Sequence, residues 1–177
     1  MHATLLVLME KLIAQYVVPD HGLSVLDCGS QDINGCLRPL FAKHNYVGVD
    51  QCAGKNVDVV SKSAYDFGLG AEAFDVITCC NVLEHCPEPH TLMKEMEWTL
   101  KKNGLIIITV PWQIRIHRYP IDCWRILPDG LEYLLTKTCK FQVLKIGIDV
   151  PPTEDCYAVG RRIKTQGEGW PSSEALG

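Results

Sequence analysis

The feature that most constrains this chain is the run at residues 23–50, in which LSVLDCGSQDING leads on to YVGVD. It reads as strand, glycine-bearing turn, helix, strand and terminal acid. Leu23, Val25 and Leu26 form a short apolar run suited to a strand buried on both faces, and residues 27–35 break it with turn formers. Gly29 lets the backbone come close to a ligand. A second apolar run at residues 46–49 ends in Asp50, about 20 residues beyond the first strand, where an acid can accept both hydroxyls of a ribose. The pair predicts an adenosine-type cofactor. The turn is not a full GxGxxG, because Gly29, Gln31 and Ile33 occupy that register and Gly35 falls out of phase. A bound pyrophosphate is therefore not expected.

The rest of the chain alternates in the same way. Residues 4–18 predict a packing helix stopped by Pro19 and Gly22. Residues 57–60 read as a third strand with little room for a helix before it, residues 61–73 as a loop, and FDVITCC at 74–80 as a fourth, buried strand. Over residues 91–102 the positions Leu92, Met93, Met96 and Leu100 share one helical face, with Asn103 and Gly104 as its stop. LIIITV at 105–110 is apolar throughout, which suits a central parallel strand. Asp129 and Gly130 open a further helix. Residues 141–148 and 156–161 then read as two last strands, joined by DVPPTED as an antiparallel hairpin. The expected fold is α/β, a Rossmann-like sheet of seven mostly parallel strands with helices on both faces and a reduced connection between strands two and three. One domain spans residues 1–163, and residues 164–177 are too poor in apolar residues to fold alone.

A net charge of −4 argues against a broad nucleic-acid-binding surface, although Arg115, His117, Arg118 and Arg125 form a local basic cluster. Nine cysteines without a CxxC, several inside apolar strands, point to reduced thiols and a cytoplasmic setting. Cys79, Cys80, Cys86 and His85 lack the paired spacing of a structural zinc site, so no metal ligands are assigned. Glu10 and Lys11 interrupt the apolar N-terminal segment, which is also too short to span a bilayer. No membrane association is expected.

VLDCGSQDING, YVGVDQ, FDVITCCNVLEH, LKKNGLIIITVPW and HRYPIDCWRILPDGL stand in the order found in class I S-adenosylmethionine-dependent methyltransferases, and the chain resembles the group known as methyltransferase type 11 over residues 23–161. The resemblance implies S-adenosylmethionine as cofactor and S-adenosylhomocysteine as product. By similarity Asp27, Cys28, Gly29 and Ser30 lie under the methionine part, Asp50 holds the ribose, and Gln51 lies beside the adenine. Ser63, Ala64 and Tyr65 line the adenine edge, and Asn81 and Val82 approach the reactive methyl. Gln31 stands where the family's second turn glycine is usual. The lost helix between strands two and three leaves a sheet flank open to a homo-oligomer contact.

Methyl transfer from a sulfonium needs alignment of nucleophile, methyl and sulfur, together with a base for a hydroxyl or ammonium acceptor. His117 and Asp122, in the aromatic and basic stretch 111–130, and His85 after VLE are the candidates for acceptor-side catalysis, with Tyr119 nearby. Against this, Asp122 and Arg125 can simply pin the loop, and His85 and Glu84 can brace the following helix. The leading reading is a methyltransferase for a small-molecule or glycan acceptor. The alternatives are a protein or nucleic-acid methyltransferase, which lacks support from an NPPY-type signature, and a non-catalytic cofactor-binding scaffold.

Overall fold

The computed structural model describes residues 3–149 and 155–163. Most of the turn expected at 149–155 and the tail at 164–177 lie outside the described residues. Strands β1 (Ser24–Cys28), β2 (Asn45–Asp50), β3 (Val59–Val60), β4 (Phe74–Cys80), β5 (Leu100–Pro111), β6 (Phe141–Ile148) and β7 (Asp155–Arg162) form one sheet in the order β3-β2-β1-β4-β5-β7-β6. The pairs β1·β2, β1·β4, β2·β3 and β4·β5 are parallel, while β7 runs antiparallel to both β5 and β6. The expected sheet of seven strands with a terminal antiparallel pair is present.

The two faces are built from alternate residues of the same strands. Val25, Val76, Leu105 and Ile107 pack with Leu5, Leu8, Met9 and Leu12 of α1 (Ala3–Tyr16), whose i, i+3, i+4, i+7 spacing places them on one stripe. Leu26, Ile77, Ile106 and Ile108 face the other way. There they meet Leu92, Met93 and Met96 of α2 (Pro89–Thr99) and Leu131 of α3 (Pro128–Tyr133), with Leu134 and Leu135 of the π turn that follows. Burying such a side chain contributes roughly 1.5–3 kcal/mol, so these two layers hold the sheet.

Three local expectations are corrected. Between β1 and β2 there is no α-helix, only the 3-10 turn Arg38–Phe41, which anchors Leu37 and Phe41 against the α1 face. The chain returns to β2 at Asn45 directly after this turn, which leaves no room for further helical turns. The third strand is reduced to Val59–Val60.

Helix α2 starts at Pro89 and ends at Thr99, three residues before the expected end, because Leu100 is already extended and pairs with Phe74. Asn103 and Gly104 make their turn inside a bulge of β5, where the register jumps from Phe74↔Leu100 to Val76↔Leu105. Asn103 has a φ of 64° there. No helix follows Asp50 before β3, as the shortened connection predicts.

Chain order reverses between β1 and β4, so the crevice for a ligand opens beyond the carboxyl ends of these two strands.

Candidate active site

Gly29 follows β1 with a φ of 73°, a conformation that glycine adopts without cost. Its peptide is exposed, while its side-chain side is closed: a Cβ placed there would come within 2.2 Å of Val82 Cγ2. Val82 and Asn81 follow β4, and the Asn81 side chain accepts from Thr109 Oγ1 at 3.1 Å. Bare backbone therefore lines the crevice between the two strand ends.

The floor below that turn is a buried polar network. Asp27, only 3% exposed, accepts hydrogen bonds from the Tyr46 hydroxyl and from Thr78 Oγ1 at 2.7 Å. Burial pushes its carboxyl up to about 6, against the opposing effect of those two donors and of Arg38. Asn56, at a φ of 69°, donates to the Ser30 carbonyl at 2.8 Å and to the Tyr46 oxygen at 3.0 Å. Arg38 donates to Asn56 Oδ1 at 2.6 Å and to Asp58, and lies over the Tyr46 ring at 4.3 Å. The loop after β2 is thus tied to the glycine turn. Sequence reasoning missed Arg38, Tyr46 and Asn56, since nothing in their spacing shows that this loop folds back.

Asp50 ends β2 and is half-buried. Its Oδ2 accepts from the Gln31 N–H at 3.2 Å and its Oδ1 from the Cys52 N–H at 3.1 Å. A carboxylate has about four lone-pair sites, so each oxygen retains acceptor capacity for a further donor. Gln51 is exposed beside it. Cys28 is buried opposite Cys79, and Ser30 is buried with its hydroxyl on the Asn56 carbonyl. In the loop after β3, Ser63 Oγ accepts the Tyr65 N–H at 3.1 Å, Ala64 is half-buried, and the Tyr65 hydroxyl accepts the Glu88 N–H at 3.1 Å. None of the nine cysteines is in a disulfide.

On the β4 side stand Glu84, His85 and His117. Glu84 is wholly enclosed, and neither carboxylate oxygen has a hydrogen-bond partner among the described residues. Burial pushes its carboxyl up to about 8. His85 Nε2 and His117 Nε2 lie 3.6 and 3.7 Å from Glu84 Oε1, and the two rings meet edge to face at 4.8 Å. The stretch after β5 reaches them because its backbone is pinned: the N–H groups of Cys123 and Trp124 donate to the Glu84 carbonyl, and Trp124 Nε1 donates to the Cys86 carbonyl at 2.8 Å. Asp122 Oδ2 accepts the His117 N–H at 2.7 Å.

Both carboxylate oxygens of Asp122 are taken up by Arg125, at 2.6 and 2.8 Å, and this pairing holds Asp122 well below the usual carboxylate range. The Tyr119 hydroxyl donates to Gln31 Oε1 at 3.2 Å, so the same stretch crosses back to the glycine turn. The expected acceptor-side group of His85, His117 and Asp122 is thus gathered in one place, and so is the loop-pinning pair of Asp122 and Arg125. A separate groove lined by Trp98, Lys140 and Arg162 lies at the amino ends of the parallel strands, away from this crevice. Among the described residues no helix is long and apolar enough to cross a membrane.

Residues 28–108 match the family model described as a methyltransferase domain. A protein named ubiquinone biosynthesis O-methyltransferase from Actinobacillus pleuropneumoniae serotype 7 is 30% identical over 135 residues, covering 64% of this chain and 54% of that protein. One of the same name from Glaesserella parasuis is 47% identical over 64 residues, 36% of this chain and 25% of that protein. The chain spans between a quarter and about half of the length of these relatives.

Among solved structures, the 1,6-didemethyltoxoflavin-N1-methyltransferase of Burkholderia thailandensis, determined with 1,6-didemethyltoxoflavin and S-adenosylhomocysteine bound, superposes with a TM-score of 0.72 at 14% identity. It covers 90% of this chain and 78% of that one. A SAM-dependent methyltransferase from Aquifex aeolicus gives 0.63 at 13%, covering 87% and 89%. At such identities these likenesses speak for the fold.

Proposed function

We propose that this chain is an S-adenosylmethionine-dependent enzyme that methylates a hydroxyl oxygen of a small-molecule or glycan acceptor, a reading supported by the match of residues 28–108 to a methyltransferase-domain model and by the shared fold. The observation that carries the reading is a crevice with two unlike ends. Asp50 closes β2 on one side, the Glu84, His85 and His117 cluster follows β4 on the other, and the exposed Gly29 peptide lies after β1, between them in sheet order. Oxygen as the accepting atom is supported by the names of the curated relatives.

Asp50 uses its spare lone pairs for the ribose hydroxyls. Gln51, Ser63, Ala64 and Tyr65 border the adenine, and Asn81 and Val82 border the methionine part. Asp27, Cys28 and Ser30 shape the turn from beneath, since all three are buried. When bound, S-adenosylmethionine would supply a methyl group on a positively charged sulfur for transfer to the acceptor oxygen, with S-adenosylhomocysteine as the leaving product. Catalysis by the chain is mainly alignment, and the hydroxyl proton leaves on the side of His85 and His117. Asp122, kept ionised by Arg125, holds the His117 backbone in place. The fold of a single domain over residues 1–163 and a cytoplasmic setting belong to the same reading, supported by nine thiols outside any disulfide.

Calorimetry tests it. S-adenosylmethionine and S-adenosylhomocysteine should each bind one site and compete, and labelled methyl should pass to hydroxyl-bearing acceptors such as catechols or glycans. No binding to the chain, shown to be folded by circular dichroism, would refute the proposal.

A further inference from the structure

Gln31 occupies the turn position where a glycine is usual in the methyltransferases that the chain resembles, and its half-buried side chain is held from two directions. On one side stands Gly54, in the loop after β2. A Cβ on Gly54 would come within 2.5 Å of Gln31 Nε2, so the bare glycine makes room for the amide. The same loop is laced to the turn, with the Asp32 N–H on the Lys55 carbonyl at 3.0 Å and the Lys55 ammonium on the Asp32 carboxylate. On the other side Gln31 Oε1 accepts from the Tyr119 hydroxyl at 3.2 Å. The backbone N–H of Gln31 donates to Asp50 Oδ2, also at 3.2 Å. Gln31 thus touches both the acid proposed for the ribose and the stretch that carries His117 and Asp122.

The bond to Tyr119 is not what anchors that stretch. Its root is fixed by the N–H groups of Cys123 and Trp124 on the Glu84 carbonyl, and by Arg125 on Asp122 and on the carbonyls of Ile114 and Arg115. Tyr119 stands at the tip, where its own N–H donates to the Ile121 carbonyl at 3.2 Å. The tyrosine is 58% exposed. A neutral hydrogen bond in such a place shifts an equilibrium by a factor of about two to ten, which biases a loop tip without locking it. Glycine has no acceptor to offer from a side chain, so the link depends on the glutamine.

We infer that Gln31 is a positioning residue that passes the state of the cofactor site to the acceptor side: its N–H follows the Asp50 carboxylate, and its amide sets the tip of the stretch through Tyr119. Ribose hydroxyls on Asp50 restrict that carboxylate and hence the Gln31 peptide beside it. An amide packed against Gly54 has little room to swing in compensation, so Oε1 is presented to Tyr119 in one place. His117 and Asp122 flank Tyr119 and are ordered with it. Linkage makes the effect mutual, and an ordered stretch tightens cofactor binding. The acceptor side is therefore completed after the cofactor is in place. The coupling rests on the cofactor reading above, whereas the bond between Gln31 and Tyr119 does not.

The full chain, kept reduced, is compared with Gln31→Met, which keeps a side chain of similar length beside Gly54 but no such acceptor, and with Tyr119→Phe, which keeps the ring but no donor. Without ligand, amide exchange across residues 117–122 should quicken about two- to tenfold in each variant, and no further in the double variant. S-adenosylhomocysteine should slow that exchange in the native chain and slow it less in the variants. Its affinity by calorimetry should fall about two- to tenfold in each, again no further in the double variant. Tyr133→Phe, which alters an equally exposed tyrosine outside the crevice, should match the native chain throughout. Thermal melts establish that each variant is folded, and Tyr119→Phe serves if Gln31→Met is not. Native exchange at residues 117–122 in both variants would overturn the bond, and faster exchange with native affinity and undiminished slowing would overturn the coupling. A native chain that binds no S-adenosylhomocysteine would defeat the cofactor reading and the coupling with it, while the exchange measured without ligand still decides the bond.

Discussion

Val82 Cγ2 occupies the place where a side chain on Gly29 would begin: the two residues close the gap between β1 and β4, and only 2.2 Å separates that carbon from an ideal Cβ. Gly29→Ala must therefore displace Val82 and also hold alanine at a φ of 73°. We expect a loss of about 1–3 kcal/mol in chemical denaturation, and weaker S-adenosylmethionine binding by calorimetry. Unchanged values for both would show that the turn tolerates a side chain.

Asp50 supplies acceptors to two loop N–H groups and, in the proposed function, to the ribose. Asp50→Asn should lower S-adenosylmethionine affinity by roughly tenfold to a hundredfold, the worth of hydrogen bonds to a charged group. An affinity within twofold of the native chain would remove Asp50 from the cofactor site.

Asp27 gives a pH signature. Burial raises its folded pKa to about 6, above the ordinary 3.8 of an aspartate, so the buried group favours its protonated form. Stability from this group is fully present below about pH 4 and is lost as the pH rises through 6. The difference corresponds to roughly 3 kcal/mol between those limits. Denaturation curves of Asp27→Asn should lack this part of the pH dependence while keeping an acceptor for Thr78. The same slope in variant and native chain between pH 4 and 7 would assign it to other groups.

Arg125 ties the stretch after β5 through Asp122 and through the carbonyls of Ile114, Arg115 and Trp124. Arg125→Ala should speed amide exchange at His117, whose N–H rests on Asp122, with a global cost of about 1 kcal/mol. Unaltered exchange there would mean that the backbone bonds to Glu84 suffice to hold the loop.

The sequence by itself determined the sheet, because Val25 with Leu26, and Ile106 with Ile107, announce strands buried on both faces, while Gly29 and Asp50 mark the two strand ends where a ligand can sit. Those signals are local, set by side-chain alternation and by one backbone conformation. It misplaced the end of α2 because Leu100 fits a helical stripe and a strand equally well, and only pairing with Phe74 decides between them. It expected a helix before β2 where the short return path allows one 3-10 turn. His85, His117 and Asp122 were legible as chemistry-bearing residues, but not that an enclosed, unpartnered Glu84 stands between the two imidazoles. That meeting depends on a backbone contact between Glu84 and Cys123, residues far apart in the chain, and no periodicity encodes such a contact. Tertiary structure alone brings the donors together, because a convergent set of lone pairs is a property of distance rather than of order along the chain.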